Sequence, residues 1–455
     1  MKKNRLPFFI FNLENKEIAY FCFMDIKIFK FGGASVNSSK GVINVISVIN
    51  SFPRENIVMV VSAMGKMTNS FEELLRFYMS GEHNPMLECY NRIKDFHLEM
   101  LKELFQDTNH TVFAETQNIL DQLLGHILNE NNLKKKKQDY DFEYDQLVSF
   151  GELLATSIVH HYLILTGTSS RLFDARELIK TDSSYREANV DWKLTEERIS
   201  LKMSDYFTTK NPTRRVAVIQ GFIGGDKHGN TTTLGREGSD FTAAIFAHSL
   251  KTKEVTIWKD VPGVMNADPK WFKHARKLDI LSYREAIELA FYGASIIHPK
   301  TIKPLENANI KLHVKSFLQP ELEGTTIEYL ANWKLLHPIY ILKPNQVLIS
   351  ISPKDFSFIV EENLSQIFDI LANHHVRANV MQNSAISFTI CVDGDRLSGS
   401  DVLSELQKNY TLRYNENVEL ITIRHYNPAA IRNIVKEREI LMEQKTRNTI
   451  QLVLK

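Results

Sequence analysis

The sequence predicts an α/β protein: a three-layer αβα domain on a mostly parallel sheet over residues 24–330, followed by a small α+β, ferredoxin-like region over 340–455. Three observations carry this. Short apolar runs that end in glycine or small polar residues recur, and their hydrophobicity is continuous, as in strands covered on both faces. Helical patterns lie between them. After about residue 335 the texture changes to a β-α-β-β-α-β succession.

The strands are expected at DIKIF leading into KFGG (25–33), NIVMVVSAMG (56–65), RVAVIQGFIGG (215–225), EVTIWKD (254–260) and IKLHV (310–314). Helices are expected at FTAAIFAHSL (241–250) and SYREAIELAFYGAS (282–295), where Ser282 followed by Glu285 reads as a capping box. Residues 69–147 interrupt the alternation with a helical insertion closed by KKKKQDYD, a solvated loop. In the carboxyl-terminal region, Leu364, Ile367, Phe368 and Leu371 share one helical face, and a βαββαβ unit is complete by about 425. The remainder supplies a helix and a hairpin, so two modules in tandem are expected, the second incomplete.

Lys+Arg at 55 against Asp+Glu at 54 gives a net charge of +1, which argues against nucleic acid or an anionic membrane as main partner. Cys22, Cys89 and Cys391 are far apart with no CxxC, which fits a reducing compartment, the cytoplasm by default, and gives no zinc site. The paired histidines His160/His161 and His374/His375 lack metal-ligand spacing and read as structural. No apolar run is long enough to suggest a transmembrane helix. At the amino terminus the apolar stretch Leu6–Phe11 is too short for a signal peptide. Residues 1–23 are therefore expected to be an upstream extension, with Met24 as the natural start.

Five segments carry chemistry. Gly32 and Gly33 at a strand end let backbone amides approach an anion, and Lys30 beside them adds a point charge suited to a phosphoryl group. The rest are VVSAMGKMTN (60–69), FGELLAT (150–156) with Glu152, TTTLGREGSDFTAA (231–244), and KDVPGVMNADPK (259–270). In the fourth, Arg236 and the opening of a helix together suit a carboxylate. Taken singly each has a bland alternative: a tight turn with a solvated lysine, a polar turn, a helix-favouring carboxylate, an N-cap, a structural loop. No Walker A run and no HRD or DFG triplet is present, which removes the two commonest phosphoryl-transfer folds.

Together and in order, Lys30–Gly33, VSAMGKMTN, FGE, GREGSD, DVPGVMNADP and SYREAIELAFYGASIIHPKT resemble the aspartokinases of the amino acid kinase superfamily, over about 24–425. The resemblance implies an amino acid kinase domain followed by ACT-like regulatory units. It further implies ATP with Mg2+ and L-aspartate as reactants, 4-phospho-L-aspartate as product, lysine or threonine as effector, and a homodimer joined through the ACT region. By similarity Lys30, Phe31, Gly32 and Gly33 contact ATP phosphates, and Lys259, Asp260, Met265 and Lys270 fall where the family holds the nucleotide. Thr68, Glu152 and the loop Arg236, Glu237, Gly238, Ser239 correspond to the aspartate site, with Asp240 adjoining both.

The chain departs from the family pattern at several positions. Ala34 replaces a hydroxyl residue, Glu237 a glycine and Lys259 a threonine, while Met265 stands for tyrosine, Lys270 for arginine and Ser295 for lysine. Lys259 or Lys300 is expected to replace the cation missing at Ser295. The turn 352–363 lacks the expected glycine, and Asn379 stands where amino-acid-sensing relatives carry Asp or Asn. Two other readings stay open: a kinase for glutamate, acetylglutamate or carbamate, and a catalytically silent amino-acid-binding regulator.

Overall fold

The structure, a computed structural model, describes residues 26–129, 139–208, 215–294, 297–331, 337–355, 357–398 and 401–455. The extension 1–23, the four-lysine run and Ser295 lie outside the described residues.

Among the described residues an eight-stranded sheet forms from β1 (Ile26–Phe31), β2 (Asn56–Val61), β3 (Ser170–Phe173), β4 (Val216–Gln220), β7 (Glu254–Lys259), β8 (Ile280–Ser282), β9 (Lys311–Ser316) and β10 (Thr325–Glu328). A separate ribbon pairs β5 (Ile223–Gly225) with β6 (Thr231–Thr233). The sheet order is β3-β4-β2-β1-β7-β9-β10-β8, and all pairs are parallel except β9 with β10. The continuous hydrophobicity of the strands has its reason in two cores. Ile28, Val58, Val60, Ile219 and Ile257 pack on one face against the helices Trp192–Thr208 and Gly238–Ser249. Phe29, Phe31, Met59, Val61, Val218 and Trp258 pack on the other against Ser39–Asn50 and Phe150–Leu165. Both faces of the central strands β1, β2, β4 and β7 are largely dry, so polar alternation has little place in them, whereas β9 and β10 alternate.

The chain runs from β1 to β2 on one side and returns to β7 on the other side of β1. Strand order therefore reverses beside β1. In open α/β sheets a crevice forms at such a point, outside the carboxyl ends of the strands. Four helices, Met67–Ser80, His83–Leu104, Thr111–Leu128 and Tyr140–Val148, supply a third apolar cluster. The run Tyr140–Leu165 has the length and apolarity to cross a membrane, but 72% of its most apolar stretch is buried inside the fold.

The run expected as one strand at 215–225 divides because Phe222 adopts a left-handed backbone, φ 71°, which turns β5 out of the main sheet. The capping box is half formed. Ser282 accepts from the Glu285 amide at 3.1 Å, but the Glu285 carboxylate is held elsewhere, by Arg424.

The carboxyl-terminal modules are nested rather than tandem. Two strands of 15 residues, β11 (Ile339–Pro353) and β14 (Tyr410–Arg424), run side by side through one six-stranded antiparallel sheet. Beyond a register shift near Gln346, β11 pairs with β13 (Phe388–Asp393), which pairs with β12 (Ala378–Asn383), under the helices Glu361–Asn373 and Val402–Asn409. The other end of β14 pairs with β16 (Thr449–Leu454), which pairs with β15 (Ile440–Lys445), under the helix Pro428–Val435. The first module is thus inserted into the second, which carries one helix.

This sheet is tied to the α/β domain at both long strands. Ile339 and Ile341 belong to the core of that domain, and the Tyr340 amide donates to the Asn266 carbonyl at 2.8 Å. At the end of β14, Arg424 grips Glu285 bidentately at 3.0 and 2.7 Å, touches Glu288 at 3.1 Å, and is joined by His425. Burial by itself would raise the Glu285 carboxyl, but His425 and Arg424 hold it down at about 2. Removing one partner of a buried pair strands the other charge. Arg424→Met is expected to cost about 3 kcal/mol, read as a lowered Tm, with Arg424→Met/Glu285→Leu recovering much of it. Because Glu285 is depressed in the fold, its contribution is full above about 4.5 and fades as pH falls towards about 2, a dependence that Glu285→Gln should abolish in urea melts.

Candidate active site

Lys30 is the penultimate residue of β1, paired in register with Val60 on β2 and Ile257 on β7, so its side chain starts at the point where strand order reverses. Gly32 makes room for it. A Cβ at Gly32 would lie 3.2 Å from the Lys30 ammonium, and one at Gly33 would strike the carbonyls of Gly65 and Ala63 at 2.7 and 2.8 Å. The two glycines let Lys30 fold back over the strand end and let the turn after β1 seat on the turn after β2, where the Gly65 amide donates to the Gly33 carbonyl at 3.0 Å. Lys30 Nζ then reaches Asp240 Oδ1 at 2.7 Å, in the first turn of the helix Gly238–Ser249. Placed at a helix start, Asp240 also faces the positive end of the macrodipole.

Glu152 comes from the first turn of Phe150–Leu165 and is 3% exposed. One carboxylate oxygen accepts from the Ala63 amide at 3.2 Å, whereas Oε2 is buried with no hydrogen-bond partner. Burial pushes the carboxyl up to about 8, against the Ala63 amide and the Lys30 charge. An unsatisfied buried carboxyl of this kind awaits a cation or donor.

Glu237 sits between Arg236 and Gly238 with φ 53°, a left-handed conformation that favours the glycine of the family pattern. Its side chain has a compensating role, because Glu237 Oε2 accepts from the His298 amide at 2.8 Å. Arg236 beside it is exposed and has no carboxylate partner among the described residues.

These groups surround one cavity of about 1050 Å3. Of the residues expected from sequence, it brings together Lys30, Thr68, Glu152, Arg236, Glu237, Gly238, Ser239, Asp240 and Lys259. Phe31, Gly32, Gly33, Asp260, Met265 and Lys270 are not in its wall. Phe31 is fully buried and stacked on Trp258, so only its backbone can meet a ligand. Asp260, Met265 and Lys270 lie on the loop beyond β7, where Met265 bridges to Lys277 and the Lys270 amide donates to Asp268. Lys300 is turned away from the cationic role expected of it. Its ammonium donates to the Leu234 carbonyl at 3.0 Å and lies over the Phe241 ring.

The wall also contains Ser62 and Gly235, from two of the segments marked in the sequence, and Asp141, Tyr144, Tyr185, Arg186, Glu187, Phe222, His375 and Arg396, none of which the sequence singled out for chemistry. Arg186, with φ 68°, is fixed by its amide, which donates to both oxygens of Asp145 at 3.1 and 3.0 Å. Asp145, fully buried, also accepts from the Thr233 amide and hydroxyl at 2.7 and 2.6 Å, and burial pushes it up to about 6 against these bonds. The guanidinium of Arg186 meets Asp141 at 3.3 Å and covers Tyr144. Left-handed residues at Arg186, Phe222 and Glu237 concentrate backbone strain around the cavity. A left-handed residue leaves no mark in the sequence unless it is glycine, so Arg186 and Phe222 were silent, whereas Glu237 was marked by the glycine it replaces. His375, expected as structural, reaches the cavity because the chain turns left-handed there, φ 55°.

The signature of the amino acid kinase family matches residues 25–316. The chain is similar to two chloroplastic enzymes of Arabidopsis thaliana: aspartokinase 1 is 32% identical over 83% of this chain, and aspartokinase 2 is 31% identical over 84%. The chain spans 65% and 69% of their respective lengths. The crystal structure of E. coli aspartokinase III in complex with lysine and aspartate (T-state) overlays with a TM-score of 0.78 at 25% identity, covering 94% of this chain and 96% of that one. The R-state of the same enzyme, with aspartate and ADP, gives 0.74. The chain belongs to the amino acid kinase family and, within it, to the aspartokinases.

Burial raises the Glu152 carboxyl to about 8, which favours its protonated form at neutral pH, and a bound ammonium would displace the proton. Binding of a zwitterionic amino acid at pH 7 should therefore release a proton, seen as a buffer-dependent enthalpy in calorimetry that Glu152→Gln abolishes. Because the carboxyl is raised in the fold, it costs stability as pH rises from about 4.5 to about 8, so Glu152→Gln should gain Tm relative to wild type at pH 8 more than at pH 5.

Proposed function

We propose that the protein is an aspartate kinase, transferring the γ-phosphoryl group of ATP to the side-chain carboxylate of L-aspartate to give 4-phospho-L-aspartate and ADP, the first step towards lysine, threonine and methionine. The observation that carries this is the charge pattern of the cavity. An unsatisfied Glu152 carboxyl and an unpaired Arg236 flank the Lys30–Asp240 pair, which suits an ammonium, a carboxylate and a phosphate together.

In this reading Arg236 clamps the α-carboxylate with its planar fork, Glu152 receives the α-ammonium, and the Thr68 and Ser239 hydroxyls lie within the same wall. The acceptor carboxylate, with a pKa of roughly 3.9, is already an anion at neutral pH, so no general base is required. A carboxylate oxygen forms a bond to the γ-phosphorus as the bond to the bridging oxygen of ADP breaks, and the electron pair leaves with ADP. The protein's work is to hold two anions in line and to offset the charge on the transferring group. Lys30 and Lys259, from adjacent strand ends, are the cavity lysines placed for that.

Magnesium fits here as a phosphate-held ion. Among the described residues no group of His, Cys, Asp or Glu could hold a metal alone, and Asp240, whose Oδ1 meets Lys30 at 2.7 Å, is the buried carboxylate that would hold the ion together with the phosphates. When bound with ATP, Mg2+ would supply charge neutralisation on the phosphates.

The regulatory part of the proposal is a lysine or threonine effector at the ACT-like sheet and a homodimer formed through it. Asn379 lies in a polar network there, receiving Lys343 at 2.7 Å and donating to Gln346 and Asp393 at 2.8 and 3.0 Å. The proposed location is the cytoplasm, which suits the free, buried thiols of Cys89 and Cys391.

Purified protein with Mg·ATP and hydroxylamine should yield a hydroxamate with L-aspartate and none with L-glutamate or without an amino acid. Absence of hydroxamate with aspartate, while aspartate still binds by calorimetry, would move the chain to a silent amino-acid-binding regulator.

A further inference from the structure

The cavity wall is not confined to the kinase domain. Two residues of the regulatory sheet, His375 and Arg396, line it together with Arg236. Arg396 is exposed and, among the described residues, has neither an ion pair nor a hydrogen bond. Its carrier, by contrast, is firmly held. The turn Gly394–Leu397 packs on the bulge at Asn345, where a Cβ on Gly394 would lie 2.9 Å from the Asn345 carbonyl. Asn345 donates to Asp395 at 2.7 Å, and Asp393, just before the turn, accepts from Gln346 at 2.8 Å and from Asn379 at 3.0 Å. All of these anchors lead to β11, whose opposite end is buried in the kinase core through Ile339 and Ile341.

Burial holds Lys343 on β11 below the usual lysine range, Asp393 opposes this, and Arg377 and Arg236 add to it, which places cations of both parts of the chain near one another. A fixed backbone that carries an unpaired guanidinium to a cavity already served by an arginine is built for an anionic ligand.

We propose that Arg396 is a substrate-binding residue contributed by the regulatory sheet, which shares the α-carboxylate of the amino acid with Arg236. The inference rests on the reading of this cavity as an aspartate site. It goes further in making the regulatory sheet part of that site, so that a shift of the sheet changes affinity for aspartate before it changes the phosphoryl-transfer step.

The test compares wild type, Arg396→Ala, Arg396→Lys and, as a control for net charge, Arg438→Ala, which removes an exposed cation paired with Glu419. Hydroxamate formation by the wild type tests the catalytic reading on its own. For Arg396→Ala the expected result is a rise in the KM for aspartate of roughly three- to tenfold, the scale of one solvent-facing charge-assisted contact. The kcat and the KM for ATP should stay close to wild type, Arg396→Lys should fall between, and Arg438→Ala should leave all three constants unchanged. An aspartate KM unaltered in Arg396→Ala, or an equal rise in Arg438→Ala, would overturn the proposal. If the wild type makes no hydroxamate, calorimetric Kd values for aspartate decide in the same way: a weaker Kd in Arg396→Ala alone supports the site, and an unchanged one removes it.

Discussion

The contact between the Lys30 ammonium and Asp240 Oδ1, at the carboxyl end of β1, is the interaction on which the rest of the site depends. Both groups are largely withdrawn from water, where an isolated charge would be costly, and pairing offsets part of that cost. A phosphate arriving beside Lys30 competes with a carboxylate 2.7 Å away for the same ammonium. The glycines behind Lys30, the seating of the β1 turn on the β2 turn, and the helix start at Gly238 all serve to bring these two charges together.

The same economy of position couples the two parts of the chain. Because β11 begins packed in the core of the kinase domain and Arg424 at the end of β14 grips Glu285, the sheet docks on the kinase domain at the ends of both long strands. Asn266 tightens this join. Its side chain accepts from the Arg276 amide at 2.7 Å and donates to the Pro338 carbonyl at 3.0 Å, and its carbonyl receives Tyr340. A ligand that prefers one orientation of the sheet has a direct mechanical route to the loop after β7, which is what allosteric coupling requires physically.

Much of this was legible in the sequence where the determinant is local. Lys30 with its glycines, Glu152 at a helix start and the Arg236–Asp240 loop are short motifs whose chemistry is set by neighbours a few residues away, and the cavity gathers one or more residues from each. The continuous apolar strands announced a sheet with two dry faces, and both cores bear that out. What was hidden depends on distant pairing or on backbone sign. Nesting of the modules follows from the length of β11 and β14, which only their mutual register reveals. Glu285 looked like half of a capping box because Arg424, 139 residues away, is invisible to a local reading. Arg186, Phe222 and His375 owe their places to left-handed turns that their residue types do not advertise. Arg396 enters the cavity through tertiary packing alone.

The central claim, that Lys30 acts on the transferring phosphoryl group while the amino acid is held by other residues, is tested most directly by single-turnover phosphoryl transfer in Lys30→Met, with aspartate affinity measured by calorimetry on the same preparation. The account predicts that aspartate still binds within a few-fold of wild type while the transfer rate falls by roughly a hundredfold or more, the scale for loss of a preorganised charge-stabilising group. A transfer rate close to wild type would contradict it.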